Sequence, residues 1–112
     1  MITKCLELLQ LSKKVVIFKP NGRLDAESYA QIRTEAMAIA NTNPDILVVD
    51  LENIAFVDSR GLGLLITLLK LMRSREGQLV LCSVRQEVQA LLELTNTDRL
   101  FEISEHYPSN LN

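Results

Sequence analysis

An α/β domain with a four- to five-stranded mixed sheet is the fold the sequence predicts, an N-terminal β-hairpin followed by alternating helices and strands. Three observations predict it. Short, uninterrupted apolar runs alternate with longer stretches whose apolar residues return at helical spacing. Turn-forming residues, among them Pro20-Asn21-Gly22 and Pro44-Asp45, separate the two kinds. Finally, 112 residues with 47% apolar and 23% charged composition suit one compact unit that buries a core without disulfides or metals, so residues 1–112 are expected to form a single domain.

Taken in order, Cys5 to Leu11 and Val15 to Lys19 are apolar-rich runs separated by Ser12-Lys13-Lys14, a spacing that predicts two paired strands. After the Pro20-Asn21-Gly22 turn, Asp25 is placed to cap a helix through Tyr29, Ile32, Ala36 and Ile39 that ends near Asn41. Ile46 to Leu51 is rich in β-branched residues and apolar but for Asp50, the pattern of a central strand covered on both faces. The strand-like character runs on to Val57, and then Asp58-Ser59-Arg60-Gly61-Leu62-Gly63 forms a small polar, glycine-rich turn before the most leucine-rich stretch of the chain.

Ser59 is expected at the start of that helix, its hydroxyl capping the first turn while staying reachable from outside. At about 100° per residue, Leu62, Leu65, Ile66, Leu69 and Met72 form one stripe and Leu64, Leu68 and Leu71 a second, with Gly63, Thr67, Lys70 and Ser74 on the remaining side. Either the helix is buried on two sides or the second stripe meets a partner. Arg73-Ser74-Arg75-Glu76-Gly77 places cations at the negative end and a glycine suited to a left-handed cap. Gln78 to Val84 predicts a strand, Arg85 to Leu94 a helix with Val88, Leu91, Leu92 and Leu94, and Leu100 to Ile103 a short final strand.

Composition and motifs exclude several functions. With 12 basic and 14 acidic residues, net charge −2, no segment gathers cations densely enough to follow a phosphate backbone, and no nucleic-acid partner is expected. No membrane segment is expected either, since Thr67 and Lys70 interrupt the longest apolar stretch and the first residues lack a signal-like block; a cytoplasmic location follows. Cys5 and Cys82 lie far apart in apolar runs and read as buried thiols of a reducing compartment. Ser59 lies outside any Gly-x-Ser-x-Gly elbow, and the single histidine, His106, has no evident carboxylate to orient it. Gly61-Leu62-Gly63 lacks the third glycine of a dinucleotide fingerprint, and no Gly-Lys-Ser/Thr is present. Asp25, Asp50 and Asp58 without a histidine or a fourth acid make a poor metal site. No catalytic residue, cofactor or metal is expected.

Gly22-Arg23-Leu24-Asp25, Val48-Val49-Asp50-Leu51, Phe56-Val57-Asp58-Ser59 and Gly61-Leu62-Gly63 together resemble the STAS domain, and within it the single-domain bacterial anti-sigma-factor antagonists. Glu76 to Leu81, Val88, Leu91, Leu92 and Leu100-Phe101 extend the resemblance over nearly the whole chain. The resemblance implies partner switching in signal transduction and transcription regulation. It implies that Ser59, directly after Asp58, is phosphorylated by a serine kinase that is often also an anti-sigma factor. A metal-dependent serine phosphatase is implied as the reversing enzyme, and Asp25 as a residue that helps contact the kinase. The protein is then substrate and ligand, not catalyst.

The expected partner-binding set joins Asp25, Asp58, Arg60 and Gly61 around the serine with Leu64 and Leu68 on the following helix. A phosphate at Ser59 would meet the exposed amides and dipole of the helix start, so the fold is expected to survive while the partner surface changes. Arg60 stands where the family usually has a second small hydroxyl residue; it reads either as a solvated arginine or as a cation that pairs with the phosphate or with an acid on the kinase. A second class of function is a STAS scaffold subunit without phosphorylation at Ser59, self-associating through the Leu64, Leu68 and Leu71 stripe of the helix after it.

Overall fold

A computed structural model describes residues 13–105. Its strands are β1 (Val15–Phe18), β2 (Gly22–Leu24), β3 (Ile46–Asp50), β4 (Ile54–Val57), β5 (Gln78–Cys82) and β6 (Glu102–Ser104). The helices are α1 (Tyr29–Ala40), α2 (Ser59–Ser74) and α3 (Gln86–Leu94), with a 3-10 turn at Thr97–Arg99. The main sheet has the order β1-β3-β5-β6, and β2 pairs with β4 in a separate two-stranded ribbon. This is the α/β arrangement that the alternation of elements predicts.

Every residue of β3 is buried, Asp50 included, as the apolar run Ile46-Leu47-Val48-Val49 requires of a central strand. Its side chains alternate between two cores. Leu47 and Val49, with Leu79 and Leu81 of β5, join Ile32, Ala36 and Ala40 of α1 and the leucines of α2. Ile46 and Val48, with Val80 and Cys82, form a smaller cluster on the opposite face, against which Val15 packs.

The sequence expectations need four adjustments. The first concerns the opening hairpin. Its second strand is β1, but β1 pairs with β3 in parallel, Val15 opposite Ile46, and the pairings among the described residues are all parallel. The proposed partner strand, Cys5 to Leu11, lies outside the described residues.

The second concerns the long strand-like run, which divides. Glu52 N donates to Asp50 Oδ1 at 2.9 Å and Ile54 N to the Leu51 carbonyl at 3.0 Å, a turn that ends β3 and starts β4 beside β2.

Third, α1 begins at Tyr29, because Asp25 closes the preceding turn instead: its Oδ1 accepts from the amides of Glu27 and Ser28 at 3.1 and 3.2 Å.

Fourth, α2 ends in a Schellman motif whose left-handed residue is Glu76, φ 59°, not Gly77. Glu76 N donates to Arg73 O at 3.0 Å and Gly77 N to Met72 O at 2.7 Å. Gly77 packs closely: a Cβ there would lie 2.7 Å from Met72 Cε and 3.3 Å from the Asp45 carbonyl oxygen, so the end of the Met72 side chain would have to shift.

Candidate functional site

The site forms where β4 runs into α2 beside the β2–α1 loop. Asp58, extended at φ −102° and ψ −171°, is the N-cap of α2. Its Oδ1 accepts from Arg60 N at 2.9 Å and Gly61 N at 3.0 Å, while Oδ2 accepts from Ala26 N at 3.0 Å. Its own amide donates to Leu24 O at 3.1 Å. One carboxylate therefore satisfies amides from two separate segments and fixes the loop that carries the next residue.

That next residue, Ser59, is exposed and is the first residue of α2. Its accessibility agrees with the sequence reading, but the capping role belongs to Asp58. The Ser59 hydroxyl makes no hydrogen bond among the described residues. A consequence bears on the expected phosphate cradle. The amides of Arg60 and Gly61 are already taken by Asp58, and Leu62 N donates to the Asp58 carbonyl at 2.9 Å. Of the first four amides of α2, those of Arg60, Gly61 and Leu62 are thus not open to an anion on Ser59, and the amide of Ser59 itself is the one left without an acceptor among the described residues.

Asp25 lies on the facing loop, 9% exposed. Arg23 Nε donates to its Oδ2 at 2.8 Å, and Ser28 Oγ lies 3.2 Å from Oδ1. The hydrogen bond from Arg23, then the one from the Ser28 amide, hold the Asp25 carboxyl below the ordinary aspartate range, so it is ionised at neutral pH. Arg23 and Phe56 are register partners in the β2–β4 ribbon, and the guanidinium carbon lies 4.5 Å from the centre of the Phe56 ring. Arg23, Asp25, Ala26, Glu27, Phe56 and Asp58 line one open groove.

On the other side, Arg60 is exposed and its guanidinium carbon lies 5.7 Å from the centre of the Tyr29 ring of α1. Tyr29, Arg60, Gly63 and Thr67 line a second hollow. The structure thus brings Asp25 and Asp58 to one groove, with Ser59 following Asp58 in the chain and Arg60 lining the separate hollow beside Tyr29. Asp50 stands apart, bonded to the Glu52 amide and 3.9 Å from Lys19 Nζ.

Three expected contact residues are placed elsewhere. Leu64 and Leu68 are each 1% exposed in the main core, so the second leucine stripe faces protein, and α2 is buried on two sides. Gly61 is buried as well, and a Cβ on it would lie 2.1 Å from the Leu24 carbonyl oxygen. Its role is to let α2 approach β2. Leu64 and Leu68 offer no surface for self-association, while Leu71, the third residue of that stripe, is half-buried against the same core.

Arg23, Phe56 and Tyr29 were missing from the expected set. One signal for Arg23 was in the sequence: it precedes Asp25 by two residues, a spacing that puts side chains on one face of an extended segment. Phe56 and Tyr29 had none, because an aromatic in a strand or helix pattern reads as core.

Among the described residues no group of three or more His, Cys, Asp or Glu gathers as metal ligands, and no helix is long and apolar enough to cross a membrane.

Comparison with known proteins gives this geometry a family. The anti-sigma F factor antagonist of Paenibacillus polymyxa is 30% identical over 99 residues, 88% of this chain and 82% of its own length. A candidate anti-sigma factor antagonist from Thermotoga maritima, known from its crystal structure, superposes with a TM-score of 0.78 at 29% identity, covering 83% of this chain and 80% of that one. The Bacillus cell fate determinant SpoIIAA in its phosphorylated form shares the fold, with a TM-score of 0.63 at 19% identity over 85% of this chain and 86% of that one. The STAS domain model matches residues 8–109, nearly the whole length, and the chain belongs to the STAS domain family.

Proposed function

We propose that this protein is a phosphorylation-switched antagonist that binds a serine kinase acting as an anti-sigma factor while Ser59 is unmodified and releases it once Ser59 is phosphorylated. The observation that carries the reading is the presentation of Ser59: an exposed hydroxyl on the first residue of α2, held out by an aspartate that is fully engaged with backbone amides. A kinase needs a hydroxyl it can reach, on a loop that keeps its shape. The relatives named anti-sigma factor antagonists, and a fold neighbour solved in a phosphorylated form, support the same reading.

The switch follows from charge. A phosphoserine adds about −1.5 to −2 charge at neutral pH. At Ser59 that charge would stand beside the carboxylates of Asp58 and Asp25 and would meet any partner surface that had packed over a neutral hydroxyl. Desolvation and like-charge repulsion then favour release. The fold is kept, because the Asp58 cap does not depend on the serine hydroxyl. A metal-dependent serine phosphatase would restore the binding form. Asp25, Asp58 and Arg60 border the serine and are the side chains we assign to the partner contact.

Intact mass and phosphopeptide mapping of the protein isolated from its own cells, with phosphatase treatment as control, tests the reading. A single phosphate on Ser59 is the expected result. Ser59→Ala is expected to retain partner binding and Ser59→Asp to weaken it. Equal binding by the two variants, or no phosphate under any growth condition, would overturn the switch.

A further inference from the structure

Resting on the reading of Ser59 as a phosphorylation site, we propose that Arg60 is the in-chain counter-ion of the phosphate, its guanidinium leaving the Tyr29 ring to pair with the modified serine. The modification itself is a phosphoryl transfer from a nucleoside triphosphate: the Oγ–P bond forms, the bond to the diphosphate leaving group breaks, and the hydroxyl proton passes to the kinase. What the chain must then do is accommodate a dianion at the first residue of α2.

The ordinary means of doing so is reduced to one donor. The amides of Arg60, Gly61 and Leu62 already donate to Asp58, which leaves the amide of Ser59 itself as the open donor of the first turn among the described residues. The nearby acids make matters worse, since Asp58 is adjacent and Asp25 and Glu27 lie across the groove. Arg23 is committed: it donates to Asp25 and stacks on Phe56. Lys19 belongs to the Asp50 and Glu52 cluster at the end of β3.

Arg60 differs from both. It forms no ion pair among the described residues, and its guanidinium rests only on the face of Tyr29. That contact is weak, about 0.5–1 kcal/mol at an exposed site, and a charge-assisted pair with phosphate replaces it readily. The way is open as well: a Cβ placed on Gly63 would meet nothing within 4 Å, so the hollow beside Arg60 leaves the side chain room to swing. Consecutive helical residues diverge by about 100°, which keeps the guanidinium away from a bare serine hydroxyl. Phosphate oxygens reach well beyond that hydroxyl, and the long arginine stem spans the remainder. Phosphorylation then changes two features at once, adding an anion and withdrawing the exposed cation from the partner surface.

The test uses the full chain with phosphoserine placed at residue 59 during synthesis, in wild type, Arg60→Gln and Arg60→Lys, so it does not depend on any kinase. Phosphorus NMR reads the second ionisation of the phosphate, ordinarily near about 6. The acids Asp58, Asp25 and Glu27, the Arg23 cation and the Tyr29 hydroxyl are common to all three proteins and cancel in the comparison. With Arg60 paired, wild type is expected to ionise about half a unit lower than Arg60→Gln at low salt, with Arg60→Lys in between and the gap closing at high salt. The Tyr29 ring resonances are expected to move on phosphorylation in wild type and to stay in place in Arg60→Gln. Identical ionisation in wild type and Arg60→Gln, or a Tyr29 shift that persists without Arg60, would overturn the pairing while leaving the switch itself standing. Absence of phosphate from Ser59 in cells would count against the switch and not against the pairing.

Discussion

The carboxylate of Asp58 binds the amide of Ala26, 32 residues earlier in the chain, at 3.0 Å. Through this bond the residue before the serine serves as more than a helix cap, because it joins the start of α2 to the β2–α1 loop. Asp58→Ala is expected to cost about 2 kcal/mol, the upper end for a capping residue, since three amides lose their acceptor. Asp58→Asn keeps a carbonyl for the amides of Arg60 and Gly61 but places an NH2 against Ala26 N, and should cost roughly half as much. Urea unfolding of both variants checks the order.

Two glycines two residues apart in α2 should respond in opposite directions. Gly61→Ala drives a methyl to 2.1 Å from the Leu24 carbonyl oxygen, a backbone atom that cannot step aside, and is expected to destabilise by about 3 kcal/mol. Gly63→Ala enters open space and removes the entropy a helical glycine carries, so it should stabilise by roughly 0.5–1 kcal/mol. Thermal melts of the pair distinguish a packing glycine from an incidental one.

Leu68, 1% exposed, is a core residue and not a docking residue. Leu68→Ala should cost about 2–5 kcal/mol, and Leu68→Lys more, with loss of cooperative unfolding as the readout. A folded Leu68→Lys protein with normal stability would contradict this placement.

The Asp25 carboxyl, held below its ordinary 3.8 first by the hydrogen bond from Arg23, gives a defined pH dependence. A depressed carboxyl contributes stability that is complete above the unfolded value and is lost as pH falls through the folded one. Arg23→Gln is expected to move the Asp25 titration upward toward its unfolded value, so the variant loses stability at neutral pH and the part of the acid-induced loss that Asp25 contributes becomes smaller. Carboxyl-carbon NMR of Asp25, with urea midpoints between about pH 2 and 6, measures both effects. Titration of wild-type Asp25 at or above 3.8 would refute the stated cause.

Glu76 occupies a left-handed conformation at φ 59°, which disfavours a residue with a Cβ. Glu76→Gly is expected to raise stability by about 0.5–1 kcal/mol, read as a higher urea midpoint with unchanged slope.

The sequence by itself determined the alternation of elements, the buried central strand β3, the helix that begins at Ser59 and the neighbourhood of that serine. Each rests on local physics: an apolar run rich in β-branched residues from Ile46, leucines at helical spacing from Leu62, and an aspartate with a serine and glycines after it where a chain turns into a helix. Tertiary structure alone decided the rest. It paired β1 with β3 in parallel, which apolar patterning cannot show because a strand buried on both faces looks the same whichever neighbour it takes. It made Asp58 the cap and left Ser59 its hydroxyl, a choice between adjacent oxygens settled by the approach of Ala26. It put Leu64 and Leu68 inside, since α2 lies between the sheet and its neighbours, and no helical wheel states how many faces a helix has covered. It also drew Arg23 onto Phe56 and Arg60 onto Tyr29, contacts between segments distant in sequence. Local spacing sets what an element is; the direction from which another element arrives sets what its surface does.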